Sequence, residues 1–270
     1  MNFSIIGPNS FIGTHMASYL RDQNIEYEFI DPNDEKIFQK KLGHVIFAIG
    51  LTGDFRNRPF DTVESHVCVL KKILEKCKFD SFLYLSSTRI YLNSDSTIES
   101  KPIVVNPHNL DDLYNISKIM GESLCLASNS RNIKVVRLSN VIGKKNSQND
   151  FLSSIIHDAV INKKIILHTT PESEKDYLYI DDVVQILEKI AIQGKERLYN
   201  VAYGENTKVS EISTKIQKIT NCELDYDANA VNYSFPRINI KRIKDEFDFN
   251  PSPFLDKLDE LINYEIKNNN

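Results

Sequence analysis

The stretch "NFSIIGPNSFIG" at residues 2–13 places a short apolar strand directly before a turn that carries two glycines. Apolar residues then recur at helical spacing, at Ile12, Met16 and Leu20, so the turn is predicted to open into a helix. A second strand, "EYEFID", follows and ends at Asp31. This order of strand, turn, helix and strand predicts an α/β unit with parallel strands.

The turn "GPNSFIG" is suited to binding a pyrophosphate. A helix N-terminus offers unpaired N–H groups and a partial positive charge, and small residues let a phosphate approach the backbone. Gly7 can make the tight turn, and Gly13 can let the helix lie close to the sheet. Ser10 stands where a third glycine would be ideal, so its hydroxyl is expected either to bind a phosphate or to crowd one.

Asp31 indicates which dinucleotide the turn would hold. It ends the second strand 18 residues after Gly13. A carboxylate at this place can accept both hydroxyls of an adenosine ribose, and it repels a 2′-phosphate. The following residues, "PNDE", contain no arginine, and Lys36 is the nearest cation that could reach a phosphate. The sequence therefore predicts NAD as the cofactor, with NADP as the weaker alternative.

Strands continue to alternate with helices as far as residue 139. The apolar runs at 45–49, 82–87 and 133–139 are typical of parallel strands buried on both faces. An amphipathic helix is predicted over 61–77, between the first two of these strands. The alternation predicts a doubly wound parallel sheet of the α/β class.

The regular alternation of predicted strands and helices ends at about residue 140. Residues 1–145 are predicted to form the dinucleotide-binding domain. Residues 146–270 are predicted to form mainly a small C-terminal substrate-binding lobe, with some of its strands and helices returning to the sheet.

A second polar motif, "DLYNISKIM" at residues 112–120, places Tyr114 and Lys118 on one helix face. A phenol titrates near pH 10, and a nearby cation lowers its pKa, so such a tyrosine can act as a general acid–base toward a hydroxyl or ketone. The predicted partner is a hydroxyl that holds the substrate oxygen. The stretch "SST" at residues 86–88 offers three hydroxyls at the end of a predicted strand.

These motifs resemble those of the extended short-chain dehydrogenases/reductases of the nucleotide-sugar epimerase/dehydratase type, over nearly the whole chain. "GPNSFIG" is similar to the family's turn ending Phe-Ile-Gly, "VIFAIG" to its strand beside the cofactor, and "SSTRIY" to its Ser-Ser-x-x-Val-Tyr. "YNISK", "VRLSNVIG" and "KDYLYIDDVV" resemble further motifs in the same order. The resemblance implies a Rossmann-like fold. Only 13 residues separate Asp31 from Val45, which implies that one strand of the family's sheet is missing.

The resemblance also implies a role for each residue that matches a motif. In the family's pattern the catalytic serine stands four positions before the final tyrosine of "SSTRIY", which selects Ser87 as the partner of Tyr114 and Lys118. The residues implied at the cofactor are Gly7, Ser10, Phe11, Ile12, Gly13, Asp31, Ala48, Gly50, Tyr114 and Lys118. The residues implied at the substrate are Ser87, Thr88, Asn140 and Arg237.

The function that the resemblance implies is an NAD-dependent oxidoreductase acting on a nucleoside-diphosphate sugar, in surface polysaccharide biosynthesis. Both a 4-keto sugar reductase and a 4-epimerase fit. Thr88 and Arg89 replace the Asp-Glu pair of the family's dehydratases, so that branch is not expected. The alternative is a non-catalytic dinucleotide-binding sensor or scaffold of the same fold, which Ser10 and the missing strand support. The family also implies a homodimer through helices 61–77 and 114–127.

Several other polar residues keep two interpretations. His66 stands where the family has an asparagine, so it either faces the cofactor or packs within its helix. Arg56 and Arg58, in "GDFRNRPF", either touch a phosphate or sugar or pair locally at the surface. Lys175 replaces an arginine of the family's motif.

Bulk composition argues against several other classes of protein. The net charge of −4 does not indicate a surface for nucleic acid. No apolar run approaches the roughly 18 residues of a membrane helix, and the N-terminus does not resemble a signal peptide. The four cysteines lack metal-ligand spacing, and Cys68, Cys77 and Cys125, in helix-like segments, are predicted to be buried free thiols. No metal site is expected, and the predicted location is the cytoplasm.

Overall fold

Six parallel strands form the central sheet of the protein. The computed structural model describes residues 1–51, 53–128, 130–144 and 150–269. In chain order the strands of this sheet are β1 Asn2–Ile6, β2 Glu26–Ile30, β3 His44–Phe47, β4 Ser81–Ser87, β5 Ile133–Leu138 and β9 Leu198–Val201. They lie side by side in the order β2-β1-β3-β4-β5-β9, and every pair is parallel. The predicted doubly wound α/β sheet is thereby confirmed.

Helices cover both faces of this sheet. Helices α1 (Phe11–Asp22) and α6 (Ile180–Gln193) pack against each other on one face. Helices α2 (Pro59–Val63), α3 (Val69–Lys76) and α4 (Asp112–Ala127) lie together on the other. Because both faces are covered, the strands carry apolar residues at successive positions, as the sequence predicts for parallel strands.

Successive residues of each strand point to opposite faces and join different cores. Phe3 and Ile5 pack in the cluster that includes Met16 of α1. Ile6 belongs to a second cluster on the other face, together with Leu70 of α3. The two clusters fix the sheet in place, and therefore fix the positions at which its strands end.

Strand β2 lies at one edge of the sheet within the described chain. The connection from β2 to β3 contains a short 3₁₀ helix, Glu35–Gln39, which Asp34 caps through the N–H of Lys36. The short spacing between Asp31 and Val45 predicted this missing strand, since a further helix and strand cannot fit between them.

The C-terminal part of the chain forms two small sheets and also returns to the large one. Its strands are β6 Asn140–Ile142, β7 Lys164–Thr169, β8 Glu174–Tyr179, β10 Asn206–Lys208 and β11 Glu223–Val231, and its further helices are α5 Phe151–His157, α7 Val209–Thr220, α8 Lys241–Phe247 and α9 Phe254–Asn268. One small sheet has the order β10-β8-β6 and the other pairs β11 with β7. One apolar cluster runs from the main sheet into this part. The predicted domain boundary at 145/146 lies outside the described residues and stays a prediction.

The helix predicted over 61–77 contains an irregular turn. Residues Glu64–Cys68 form a π-helical turn between α2 and α3, in which the N–H of Val69 donates to the carbonyl of Glu64, five residues back. The extra residue turns Cys68 to the surface, so the prediction that this thiol is buried was wrong.

The described residues contain neither a membrane-spanning helix nor a metal-binding cluster. None of the helices in the described ranges is long and apolar enough to cross a membrane. Across residues 1–51, 53–128, 130–144 and 150–269, no group of three or more His, Cys, Asp or Glu side chains is arranged to hold a metal ion.

Candidate active site

The predicted site residues gather where the strands of the central sheet end. Gly7 directly follows β1 and Ala48 directly follows β3. Ser87 is the last residue of β4, and Asn140 lies two residues after the end of β5. In open α/β sheets, ligands bind at the carboxyl ends of the strands, where the strand order reverses. Here β1 and β3 flank that point. The predicted cofactor turn and the predicted catalytic residues therefore share one edge of the sheet.

Gly7 makes the tight turn in a conformation that other residues avoid. Its φ is +105°. A Cβ at this position would also lie 2.9 Å from the carbonyl carbon and oxygen of Ala48. Only glycine therefore lets the chain leave β1 so close to Ala48, and the backbone remains open to a ligand at this point.

Ser10 closes the turn with its own hydroxyl. Its Oγ donates to the carbonyl of Gly7 at 2.8 Å and accepts from the N–H of Gly13 at 3.0 Å, as the N-cap of α1. The turn itself occupies this hydroxyl, and the two uses expected of it toward a phosphate stay predictions. A Cβ on Gly13 would collide with the carbonyl oxygen of Gly7. Glycine at this position therefore lets the first turn of α1 pack against the turn after β1, whereas the sequence predicted that it lets the helix pack against the sheet.

The first turn of α1 keeps two backbone donors for a ligand. The N–H of Ser10 donates to Gly7, and that of Gly13 to the Ser10 hydroxyl. The N–H groups of Phe11 and Ile12 have no carbonyl four residues back within the helix. Together with the positive end of the helix dipole, these two groups fit an anion such as a pyrophosphate.

Asp31 is held at the end of β2 by its own backbone. Its Oδ1 accepts from the N–H of Asn33 at 2.9 Å. The amine of Lys72 donates to the carbonyl of Pro32 at 3.3 Å, so a cation stands beside the residue that follows the aspartate. The sequence pointed to Lys36 as the nearest cation and gave no sign of Lys72, because the two segments are 40 residues apart.

Ser87 and Tyr114 meet at the end of β4. Tyr114 lies on α4 with only 5% of its surface exposed. Burial raises the pKa of the Tyr114 phenol, while a hydrogen bond with the side chain of Ser87 and the charge of Arg89 lower it. Ser87 also caps the following 3₁₀ helix, Thr88–Tyr91, by accepting from the N–H of Arg89 at 3.2 Å. The hydroxyl that the sequence selects as the partner of Tyr114 therefore lies beside it.

Lys118 lies one helical turn after Tyr114 and is also buried. Its amine donates to the carbonyl of Leu85 at 2.9 Å and lies 5.9 Å from the centre of the Tyr114 ring. Burial lowers the pKa of Lys118 to about 7, and the charge of Glu122 opposes that change. The charge of Arg89 favours the Tyr114 phenolate, and the role predicted for Lys118 stays a prediction.

His66 connects the cofactor side of the site to the helix of Tyr114. Its Nε2 accepts from the N–H of Leu51 at 3.2 Å, and its Nδ1 lies 2.8 Å from the hydroxyl of Ser117, which itself donates to the carbonyl of Tyr114. This pattern requires a neutral ring with the proton on Nδ1. Burial and the charge of Lys118 lower the pKa of His66 to about 2, in agreement with that form.

Gly50 leaves room where His66 and Lys118 converge. A Cβ on Gly50 would lie 3.1 Å from Nε2 of His66 and 3.4 Å from Nζ of Lys118. The ring of His66 therefore packs in the core with its Nε2 at the loop after β3, and its place toward the cofactor stays a prediction.

A cluster around Phe55 lies against Tyr114, and the sequence did not indicate it. The Phe55 ring is 5.4 Å from the ring of Tyr114, and the guanidinium groups of Arg56 and Arg89 lie 4.6 and 5.7 Å from the centre of the Phe55 ring. Arg56 forms a bidentate pair with Asp111 at 2.5 and 2.8 Å. The only sequence signal for Arg89 is its place two residues after Ser87, at the end of a strand.

The predicted substrate residues are present, but most of their polar groups bind the protein itself. Thr88 is buried. The amide of Asn140 donates to the carbonyl of Asp176 at 2.8 Å. The guanidinium of Arg237 donates to the carbonyl of Gly204 at 2.6 Å and pairs with Glu205 at 2.8 Å. Of the two arginines before the helix 61–77, Arg58 pairs with Asp61, so local surface pairing is the outcome there.

A buried ion pair supports the floor of the site. Arg137 and Glu122, each only 3% exposed, form a bidentate pair. The hydroxyl of Ser86 donates to the same carboxylate at 2.5 Å. Ser86 is therefore occupied within the core. Of the three hydroxyls that the sequence offered, that of Ser87 is the one that lowers the pKa of Tyr114.

Comparison with known proteins places the chain in a wider group. The family model described as "NAD dependent epimerase/dehydratase family" matches residues 4–202. The chain is 24% identical to the dTDP-D-glucose 4,6-dehydratase of Dictyostelium discoideum over 80% of its length, and 25% identical to the dTDP-4-dehydro-6-deoxyglucose reductase of Escherichia coli over 75%. The matched regions cover 61% and 66% of those relatives, so the chain spans less than two thirds of each.

Solved structures share the fold at lower identity. MoeE5 in complex with UDP-glucose and NAD superposes with a TM-score of 0.82 at 16% identity, over the full length of both chains. The UDP-glucose 4-epimerase of Thermotoga maritima, with UDP-glucose, superposes with a TM-score of 0.81, also at 16% identity and over the full length of both chains. These likenesses establish the fold of the whole chain, including the part beyond residue 202.

Proposed function

The chain belongs to the NAD dependent epimerase/dehydratase family, and on that premise we propose that it is an NAD-dependent oxidoreductase that acts on a nucleoside-diphosphate sugar. The observation that carries the proposal is the meeting of Ser87, Tyr114 and Lys118 beside the turn after β1. Relatives and structural neighbours that act on or bind nucleotide sugars support the substrate class.

The residues present fit an NAD molecule along the edge of the sheet. The N–H groups of Phe11 and Ile12 would hold the pyrophosphate, and Asp31 would accept the adenosine ribose hydroxyls. Lys118 and the space beside Gly50 would receive the nicotinamide end. When bound, NAD supplies the hydride acceptor or donor. Lys72, beside the residue that follows Asp31, makes the preference for NAD over NADP weaker than the aspartate alone would give.

Each catalytic residue then has one task. Tyr114 exchanges the proton of the sugar hydroxyl that becomes a ketone, or returns it in the opposite direction. Ser87 holds the oxygen of that group and stabilises the phenolate by its hydrogen bond. Because Phe55 packs against Tyr114 and the phenol is buried, water has little access to the proton in transit.

The proposal covers a 4-keto sugar reductase and a 4-epimerase, which need the same proton exchange. A dehydratase is disfavoured, because expelling water requires an acid and a base, and Thr88 and Arg89 occupy the two positions after Ser87. Surface glycan synthesis is the proposed pathway, because reduced and epimerised nucleotide sugars are building blocks of such polymers.

The second candidate is a dinucleotide-binding sensor or scaffold. The shortened sheet, with β2 at its edge, favours it, because the adenine side of the site is more open. The buried Tyr114 with its Ser87 hydrogen bond argues against it, since a sensor does not need an acid–base group.

A thermal-shift panel tests the proposal. Purified protein is heated with NAD and with UDP-, GDP-, dTDP- or CDP-sugars, and with the free nucleoside diphosphates. We expect one nucleotide series to raise the melting temperature in the presence of NAD. If none of the sugars or free diphosphates stabilises the protein, the substrate proposal fails and the sensor becomes the better account.

We further propose that the protein is a homodimer through α2, α3 and α4. Phe60 on α2 is 87% exposed and Met120 on α4 is 50% exposed, and the two helices pack side by side. Apolar side chains on adjacent helices favour burial against a second copy of the chain, as in a four-helix bundle.

A further inference from the structure

Arg89 carries a buried polar atom that has no partner within the described chain. Its Nε is buried and makes no hydrogen bond to any described residue. The nearest carboxylate, Asp111, lies 3.8 Å from its Nη2 and is already held by both nitrogens of Arg56. Burying part of a guanidinium without an acceptor is costly, so this position calls for an anionic group from outside the chain.

A second cation, without a carboxylate partner in the described chain, lies on β8. Lys175, on β8, lies over the rings of Phe151 and Phe235 at 5.8 and 5.3 Å. Among the described residues, no carboxylate pairs with it within 4.0 Å. Burial lowers the pKa of Lys175, and the positive charge of Arg89 lowers it further. An anion between the two cations would relieve the repulsion of their charges.

The position of Arg89 relative to Tyr114 indicates which part of the substrate brings the anion. Arg89 lies two residues after Ser87, and its positive charge lowers the pKa of the Tyr114 phenol. Tyr114 exchanges its proton with the oxygen on the reacting carbon of the sugar, so a group in reach of Arg89 lies on or next to that carbon. The diphosphate is attached on the far side of the sugar ring and is a less suitable partner.

We propose that Arg89, with Lys175 beside it, forms a subsite for a carboxylate on the sugar, so that the substrate is a nucleoside-diphosphate uronic acid. A planar guanidinium matches a carboxylate in two parallel hydrogen bonds, which a neutral hydroxymethyl group cannot accept in the same way. This inference rests on the proposed function, since it concerns the sugar of the same substrate.

The test compares sugars that differ only at this group. Binding of UDP-glucuronic acid, UDP-glucose and free UDP is measured by calorimetry with NAD present, and the dTDP series is measured in the same way. We expect the uronic acid to bind about 10- to 100-fold more tightly than the hexose, the range of a charged hydrogen bond. Arg89→Met should bring that ratio close to one, and Arg89→Lys should give an intermediate ratio.

Arg58→Met provides the matched control, because Arg58 is an exposed arginine near the site that pairs with Asp61. Its ratio should equal that of the unaltered protein. If Arg89→Met does not fold, Lys175→Met serves as the second variant and should also lower the ratio. Equal affinities for uronic acid and hexose in the unaltered protein would overturn the inference while leaving the proposed function intact.

Two other outcomes are also decisive. If Arg89→Met weakens the binding of free UDP as much as the binding of UDP-glucuronic acid, the anion at Arg89 is the diphosphate. The proposal of a carboxylate subsite is then wrong. If neither nucleotide sugar nor free nucleotide binds in either series, the proposed function itself fails.

Discussion

Burial acts on the two ends of the Tyr114–Lys118 pair in opposite directions. It raises the pKa of the phenol and lowers the pKa of the amine to about 7, so both shifts favour neutral groups. A protonated tyrosine next to a hydroxyl at Ser87 is ready to give a proton to a ketone. The same arrangement can accept a proton when Arg89 stabilises the phenolate.

The buried amine of Lys118 is expected to make the protein less stable than it could be. We predict that Lys118→Met raises the free energy of unfolding by about 2–4 kcal/mol near neutral pH, because the variant no longer buries a cation. The unfolded state of the unaltered protein keeps its proton up to a pKa of 10.5 and the folded state only up to about 7. Stability of the unaltered protein therefore rises with pH between those values, and the advantage of the variant shrinks.

Denaturant unfolding at about pH 6 and about pH 9 measures this difference. Lys71→Met is the control, because Lys71 is an exposed lysine whose side chain keeps 61% of its surface. A Lys118 variant with no gain at the lower pH, or with the same gain at both pH values, would show that the amine is not desolvated as described.

Some residues of the site could be predicted from the sequence and others could not. Tyr114 and Lys118 were identified because a spacing of four residues places them on one helix face. Ser10 could have been assigned as a cap, since a serine before a helix commonly binds the N–H three residues later. Arg89 was missed because its approach to Tyr114 depends on the path of the loop between them, which no local pattern records.

At the scale of elements, the π-helical turn Glu64–Cys68 brings the two halves of the site together. It places His66 between Leu51 and Ser117, so the loop after β3 and helix α4 are joined through one ring. The alternating strands and helices followed from apolar runs, because burial on both faces leaves a clear signal. The π turn could not be predicted from the sequence, since one inserted residue hardly changes the apolar spacing of the helix.

His66 is expected to hold this junction in place. We predict that His66→Ala lowers the free energy of unfolding by about 2–4 kcal/mol, because the N–H of Leu51 and the hydroxyl of Ser117 lose their partner in the core. NAD binding should weaken as well, since the loop that carries Gly50 is no longer fixed. Thermal unfolding and cofactor titration measure the two effects.

His108→Ala is the matched control, because His108 is exposed and outside the site. If His66→Ala is as stable as this control, the two hydrogen bonds of His66 contribute nothing to the junction.

At the scale of the whole molecule, the proposed dimer surface lies on the opposite side of α4 from the buried Tyr114. Phe60 and Met120 are exposed, while Tyr114 and Lys118 of the same helix system are buried. We predict a mass in solution of twice the 31.1 kDa chain, and a shift toward monomer in Phe60→Glu and Met120→Glu, because a buried charge would oppose association. Sedimentation equilibrium measures the mass.

Phe29→Glu is the control for this surface. Phe29 is an exposed apolar residue, 47% accessible, on the edge strand β2, away from the helices α2 and α4. A monomeric unaltered protein, or equal dissociation by all three variants, would contradict the proposed interface.

The central claim is that Tyr114 exchanges a proton while a hydride passes between NAD and a nucleotide sugar. Its most direct test is the rate at which the NADH absorbance changes in a single turnover, with the nucleotide sugar that the binding panel identifies. Tyr114→Phe should slow this rate by about 10²- to 10⁴-fold, the contribution of an acid–base group, while the affinity for NAD stays the same. A Tyr114→Phe protein that turns over at the rate of the unaltered enzyme would contradict the account.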